Sequence, residues 1–210
     1  MKKVIAITLT ALTLAFVGCN SSGSSSNCPE VKAYRESIVP MFKKSQDYAL
    51  KCCQLNEAAR KKIEDQKAAA EESDDDDMKI QKIDSTMFPT SFASMSTEEA
   101  QKARENFMKS FAWLMRAAAE EAKLLPIVTK RVNELTAKLN AEQNPFAKVK
   151  IAAEAKELAE LAGYLAEDGK YIAETMAFYG KYAAANNIAE DAVQKLLANL
   201  DSDEPQADNN

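Results

Sequence analysis

Carboxylates are the side chains of this sequence best suited to acid–base chemistry. The 210 residues include 32 Asp and Glu but no His, which excludes Ser-His-Asp or Cys-His catalysis and His-ligated zinc or haem. Two carboxyl groups alone suffice for glycoside hydrolysis. Neighbouring acidic pairs occur at Glu120-Glu121, Glu154-Glu157 and Glu167-Asp168. Because Lys residues lie at i,i+4 spacing along the same segments, as in Glu134 and Lys138, we expect solvated helix faces and predict no enzymatic activity.

The cysteines form no Cys-x-x-Cys motif, which excludes zinc-ribbon and thioredoxin-like redox sites. If residues 28–52 formed one straight helix, Cys28 and Cys52 would lie about 36 Å apart, far beyond the disulfide limit of about 7 Å. We expect Cys52 to be buried and Cys53, one residue further round the helix, to be exposed. Three states of Cys53 remain open: a free thiol, a bridge to Cys28, and an intermolecular disulfide that makes a homodimer.

Two further groups of residues are candidates for ligand binding. Asp74 to Asp77 lack the Gly and Glu that an EF-hand loop needs in register, so we interpret them as a solvated loop and predict no metal or other cofactor. Aromatic side chains at helical spacing are typical of a bundle core, and the alternative is a small-molecule pocket between helices. These aromatic residues are Phe107, Phe111, Trp113, Phe146, Tyr164, Tyr171, Phe178, Tyr179 and Tyr182.

The N-terminus has the pattern of an export signal. Lys2 and Lys3 precede an uncharged apolar run from Val4 to Val17, which Gly18 and Cys19 terminate. Fourteen helical residues rise about 21 Å, less than the hydrocarbon core of about 30 Å, which disfavours a transmembrane anchor.

Residues Phe16-Val17-Gly18-Cys19 resemble the lipobox of bacterial lipoproteins, although members usually carry Leu where Phe16 stands. The resemblance implies a signal peptide over residues 1–18, cleavage between Gly18 and Cys19, and attachment of diacylglycerol and a fatty acid such as palmitate at Cys19. Membrane attachment in the cell envelope follows, and the absence of Asp at position 20 favours the outer membrane in a Gram-negative cell. Residues 19–27, rich in Ser, then form a flexible tether.

The body, residues 28–200, follows helical periodicity. A heptad seam typical of coiled coils runs through residues 28–70, with a kink expected at Pro40. Residues 71–95 lose periodicity and form a connector, whose apolar residues 78–95 we expect to pack on the bundle. Ser96 and Glu99 form a capping box that starts a second helix, interrupted at Pro126 and ending near Asn140.

A third helix starts at Asn144-Pro145 and ends near Ala185. Its seven-residue periodicity continues across Asp168-Gly169, which predicts one unbroken helix with close approaches or bends at its glycines. Asn187 is the predicted N-cap of a short fourth helix, and the acidic residues 201–210 are expected to be disordered.

We therefore predict an all-α fold, an elongated antiparallel bundle of three long helices plus one short C-terminal helix, with the direction of the first helix left open. The predicted function is that of a non-catalytic envelope lipoprotein that interacts with an envelope protein or polymer. The alternative is a small-molecule-binding or stress-response lipoprotein with an aromatic pocket. A nucleic-acid partner is not expected, because basic and acidic residues are interleaved and the net charge is −5.

Overall fold

The fold is all-α, as predicted. A computed structural model describes residues 28–65, 78, 80 and 82–200, and no strand occurs among them. The predictions on the signal peptide, Cys19 and the tether, on the acidic run and on the C-terminal tail lie outside the described residues.

The first long helix contains a π-helical segment at the predicted kink. Helix α1 spans Pro29–Ala33, the π-helical segment spans Tyr34–Ile38, and helix α2 spans Val39–Cys53. Pro40 has no N–H and its ring crowds the carbonyl of the preceding turn. The wider π turn accommodates this, and the Val39 N–H bonds to the Tyr34 carbonyl. The prediction of one helix to residue 70 is wrong, because α2 ends at Cys53 and residues 60–65 are helical after a turn.

The π turn also rotates the buried face of the first helix. As far as Ile38, the last residue of the π-helical segment, the residues Val31, Tyr34 and Ile38 are buried as the heptad seam predicts. After it, the face moves by one residue, so Phe42 is buried and Met41 only half-buried. The one extra residue in the π turn rotates the buried face of the following helix by about 100°. This rotation brings Cys53 into the core.

Two long helices form an antiparallel hairpin. Helix α3 spans Thr97–Ala141 and starts with the predicted Ser96–Glu99 capping box. It continues through Pro126, so the predicted interruption is wrong. Helix α4 spans Pro145–Ala185 without a break at Asp168, and the Asn144 side chain caps its first turn. Each helix is more than 60 Å long at about 1.5 Å per residue.

The buried face of α3 follows a strict alternation of three- and four-residue steps. The buried positions in that series are Ala103, Phe107, Ser110, Leu114, Ala117, Glu121, Leu124 and Val128. The apolar residues of the sequence also allow a stripe that shifts to Ala118, Ala122 and Leu125, but Leu125 is 42% exposed. The shift arose because alanines at consecutive positions satisfy either register.

Helix α5, Glu190–Asn199, packs on α3. Asn187 is not its N-cap; that residue is Ala189. Asn187 instead has a positive φ of 53° and closes the end of α4. The Ile188 N–H bonds to the Ala183 carbonyl and the Asn187 N–H to the Ala184 carbonyl, which is a Schellman motif.

Contacts between the helices settle the direction of the first one. Tyr34 contacts Asp168, and Ser45 reaches Tyr179 through Ser110. The first helix therefore runs parallel to α4 and antiparallel to α3. Helix α3 packs on both α2 and α4 and is the central helix of the bundle.

The connector packs on the bundle, as predicted for residues 78–95. Met78, Met87, Phe88 and Phe92 are buried. Tyr182 donates a hydrogen bond to the Pro89 carbonyl at 2.7 Å, and Asn186 accepts one from the Phe92 N–H at 2.9 Å. From Met78 beside Asp168 to Phe92 beside Asn186, the connector follows α4 and takes the place of a fourth helix.

Candidate functional site

Three polar side chains meet inside the bundle and form what we call the acidic site. They are Tyr34 on the π-helical segment, Glu121 on α3 and Asp168 on α4, and none is more than 6% exposed. Tyr34 occupies a seam position of the first helix, and Glu121 and Asp168 each occupy a core position of a heptad-like series. The acidic site is therefore built from all three long helices.

Hydrogen bonds satisfy Tyr34 and Asp168 but not Glu121. The Tyr34 hydroxyl donates a short hydrogen bond to Asp168 Oδ2 and lies 3.4 Å from the Met78 carbonyl oxygen. Glu121 Oε2 is buried and has no hydrogen-bond partner. Gly169 lies beside Glu121, because a Cβ at that glycine would sit 3.7 Å from Glu121 Oε1. An unpaired buried carboxylate is costly, whereas the protonated acid avoids most of that cost.

Burial is the main reason why the pKa of both acids is raised. Burial, followed by the charge of Asp168, raises the pKa of Glu121 to about 8. Burial raises the pKa of Asp168 to about 6, although the hydrogen bond from Tyr34 and the charge of Lys82 act in the opposite direction. Burial also moves the pKa of Tyr34 well above its ordinary value. At neutral pH Glu121 is therefore mostly protonated and Asp168 mostly ionised.

The acidic site can hold and release a proton near neutrality, but its carboxyl groups do not face solvent. A glycosidase places its two carboxyl groups on either side of a substrate, and these two are enclosed by helices. Our expectation that Glu121 and Asp168 lie on solvated faces is wrong. Both acids lie in the series of three- and four-residue steps that the buried residues follow. In the correct register, this position predicts burial more reliably than the charge of a side chain predicts exposure.

The other predicted acidic pair, Glu154 and Glu157, is half-buried and is not part of the acidic site. Glu154 is at the surface and forms an ion pair with Arg131 across the hairpin at 2.6 Å. Similar i,i+4 pairs, such as Glu98 with Lys102, lie along the exposed helix faces. These charged side chains keep the helix surface solvated, and they form no candidate site.

The three described cysteines, Cys28, Cys52 and Cys53, are buried, and none of them is part of a disulfide. The expectation that Cys53 is exposed is wrong, since its exposed fraction is 0%. Burial raises the pKa of Cys52 to about 12 and raises that of Cys53 as well. Thiolate is the reactive form, so neither side chain is poised for disulfide exchange in the folded chain.

Most of the aromatic residues proposed for a pocket pack against one another instead. The Phe107 ring centre lies 4.9 Å from that of Tyr182 and 5.0 Å from that of Tyr179. Tyr164 stacks on Tyr34. Phe146 lies apart from these clusters and is 81% exposed at the start of α4.

The residue at the centre of this aromatic cluster belongs to the connector, which was predicted to pack on the bundle, but it was not among the aromatic residues selected by helical spacing. Phe88, from the connector, lies 5.2–6.3 Å from the ring centres of four other aromatics. Those four residues are Phe107, Phe178, Tyr179 and Tyr182. Phe88 had no periodic neighbours in sequence, so helical spacing gave no signal for it.

Comparisons with known proteins add no functional assignment: no family model, curated protein or solved structure matches the chain. In the described part of the chain, no group of three or more Cys, Asp or Glu side chains is arranged to hold a metal ion. Across those same residues, no helix combines the length and apolar character needed to cross a membrane.

Proposed function

We propose that the chain is a membrane-anchored cell-envelope lipoprotein whose helical body is a non-catalytic interaction scaffold. The anchor rests on the lipobox-like segment ending at Gly18-Cys19, which implies acylation of Cys19 and, in a Gram-negative cell, an outer-membrane location. Two or three acyl chains are enough for stable attachment, at about 0.8 kcal/mol per buried CH₂. The partner is an envelope protein or polymer that contacts the long helices.

The packing of Phe88 is the observation that favours a scaffold over a carrier. A carrier would keep space between its aromatic rings for a ligand. Here the connector places Phe88 among the rings of α3 and α4, and Phe92 also contacts Tyr182, at 5.5 Å between ring centres. The functional surface of a body packed in this way is its exterior.

The exterior suits a scaffold in its dimensions. Helices α3 and α4, of 45 and 41 residues, offer faces more than 60 Å long at about 1.5 Å per residue. Rows of i,i+4 ion pairs keep these faces solvated, as with Glu105 and Lys109 at 2.7 Å. Each such pair contributes little stability, so a partner can replace it at small cost.

Native mass spectrometry of the full chain, purified from its own membrane after chemical cross-linking, separates the two functions. If the chain is a scaffold, the free protein should have the mass of the acylated chain without a bound small molecule. Cross-linked complexes with its partner should also be present, and these should disappear in Cys19→Ala. A stoichiometric small molecule retained by the wild type and lost in Phe88→Ala would instead establish the carrier.

A further inference from the structure

The end of the α3–α4 hairpin projects beyond the first helix. The charge of Glu30 in α1 acts on Arg131, which pairs with Glu154, so these residues mark the level at which the first helix begins. Ten further residues lead from Arg131 to Ala141, or about 15 Å of helix. Beyond that level the described part of the molecule consists of two helices only, and we call residues 134–150 the hairpin tip.

The hairpin tip carries the two most exposed large apolar side chains in the described part of the protein. Phe146 is 81% exposed and Val149 66%. Their i,i+3 spacing places them on one face of the first turns of α4. Exposed Lys148 and Lys150 lie beside them.

The charge of the hairpin tip differs in sign from that of the chain. Three Lys and two Glu lie within residues 134–150, whereas the whole chain has a net charge of −5. An apolar face bordered by Lys is the usual composition of a segment that lies at a lipid interface. Anionic headgroups attract the lysines within about a Debye length of the membrane surface.

Cys28, the first residue of the described body, lies at the same end of the molecule. The first helix runs parallel to α4, so its N-terminus faces the hairpin tip. Nine residues, 19–27, separate Cys28 from the end of the signal peptide, and they span at most about 30 Å. A lipid on Cys19 therefore holds the membrane within about 30 Å of Cys28, and the hairpin tip projects about 15 Å beyond the start of the first helix at this same end.

We propose that the hairpin tip docks on the lipid surface to which Cys19 is attached. Phe146 and Val149 enter the boundary between headgroups and acyl chains, and Lys148 and Lys150 contact anionic headgroups. This inference rests on the proposed lipid anchor. A contact of only two apolar residues is weak alone, but the attached lipid keeps the tip at high effective concentration near the bilayer. Docking fixes the orientation of the rod, with α5 and the connector at the end away from the membrane.

Tryptophan quenching by brominated lipids tests the docking. The acylated full-length chain is reconstituted into vesicles of phosphatidylcholine and phosphatidylglycerol with bromine on the acyl chains. Phe146→Trp adds a reporter at the tip, and Lys195→Trp places a matched exposed reporter on α5 at the far end. The wild type contains only Trp113, which is buried, and its fluorescence is subtracted from that of each variant.

We expect the added fluorescence of Phe146→Trp to be quenched by about twofold or more, because interfacial side chains reach the acyl boundary. Lys195→Trp should keep its signal, and Lys148→Gln with Lys150→Gln should reduce the quenching at position 146. Vesicle flotation reports the anchor separately. Flotation without quenching at position 146 would overturn the docking alone and would leave the hairpin tip to a protein partner. A chain that does not float would overturn the anchor and the docking together.

Discussion

Glu121 occupies a core position of α3 that Ala117 and Leu124 fill in the neighbouring turns. An acid there needs a proton or a partner, and its Oε2 has no hydrogen-bond partner. Asp168 is buried as well, but it has less need of a proton because it accepts a hydrogen bond from the Tyr34 hydroxyl. The acidic site therefore makes the stability of the bundle depend on pH near neutrality.

The stability of the wild type should fall as the pH rises from about 5 to 8. Glu121 has a pKa of about 8 in the folded chain against an ordinary value of 4.5. The folded state therefore binds more protons than the unfolded state in this window, and raising the pH favours unfolding. Asp168 acts in the same direction below about pH 6. Asp84 and Glu99 have lowered pKa values, so they change the stability of the chain only at pH values below this window.

Glu121→Gln should remove most of this decline. Glutamine has a similar shape and no proton to lose, so at pH 8 the variant should be more stable than the wild type by roughly 2–4 kcal/mol. Urea unfolding at pH 5 and pH 8 measures the difference. Glu120→Gln, which breaks only the surface pair with Lys123, is the matched control and should keep the wild-type dependence. A wild type equally stable at both pH values would contradict the burial of an unpaired acid.

Cys53 gives a second prediction at this scale. Because its thiol is fully buried and its pKa is raised, a maleimide reagent should leave it unmodified in the folded chain and label it in urea. Mass spectrometry after peptide digestion identifies the modified residue. Rapid labelling of Cys53 under native conditions, or a dimer on non-reducing electrophoresis that Cys53→Ala removes, would show that the end of α2 is open.

The residue scale is where sequence reasoning was least accurate. Cys52 was predicted correctly as buried, but Cys53 was not, because the π turn, which ends fifteen residues before Cys53, rotated the buried face of the helix. Glu121 and Asp168 were assigned to the surface by their charge. The charge of a side chain sets only its average preference for solvent. A shift of the helical register by one residue can place the same side chain in the core.

At the scale of elements, the connector contributes as much to the core as a helix does. Phe88 is 6% exposed among four other rings, and Met87 is fully buried. Asn56, just after α2, donates a hydrogen bond to the Met87 carbonyl at 3.0 Å. The connector thereby ties the end of the first helix to α4.

Phe88→Ala should destabilise the bundle by about 3–5 kcal/mol, since a large ring is removed from a packed cluster. Phe146→Ala is the matched control, because the same side chain is 81% exposed, and its effect should stay within about 0.5 kcal/mol. Chemical denaturation of both variants gives the comparison. Equal losses would mean that the connector is not part of the core.

The glycines of α4 give an independent prediction. Gly163 and Gly180 have open space where a Cβ would lie, so close approach, one of the two predicted alternatives, is wrong at these positions, and a local bend stays a prediction. Replacement of either by Ala should stabilise the chain by about 0.5–1 kcal/mol, through the higher helix propensity of alanine. Thermal unfolding followed by circular dichroism would show this as a raised Tm, and a lowered Tm for both variants would place a neighbour there.

Elements were predicted well where local signals decide them. The Ser96–Glu99 capping box and the Asn144-Pro145 start fix the ends of α3 and α4, and both formed as expected. Asn187 was misassigned because asparagine suits an N-cap and a left-handed C-terminal position equally. The end of the first helix at Cys53 had no local marker, since apolar periodicity continued beyond it.

At the scale of the whole molecule, the bundle is a rod with two different ends. One end has the projecting hairpin tip and the start of the first helix, and the other has the aromatic cluster, the connector and α5. The direction of the first helix could not be derived from the sequence, because a connector of 25 residues permits either orientation. Contacts such as that of Tyr34 with Asp168 decide it.

Metabolic labelling with a fatty-acid analogue tests the central proposal, that this rod is held at a membrane by lipid on Cys19. The wild type, expressed with its own signal sequence, should incorporate the label and fractionate with membranes. Cys19→Ala should remain unlabelled and retain residues 1–18, whereas Cys28→Ala, a matched cysteine control, should label as the wild type does. An unlabelled wild-type chain, or equal labelling of Cys19→Ala, would contradict the proposal.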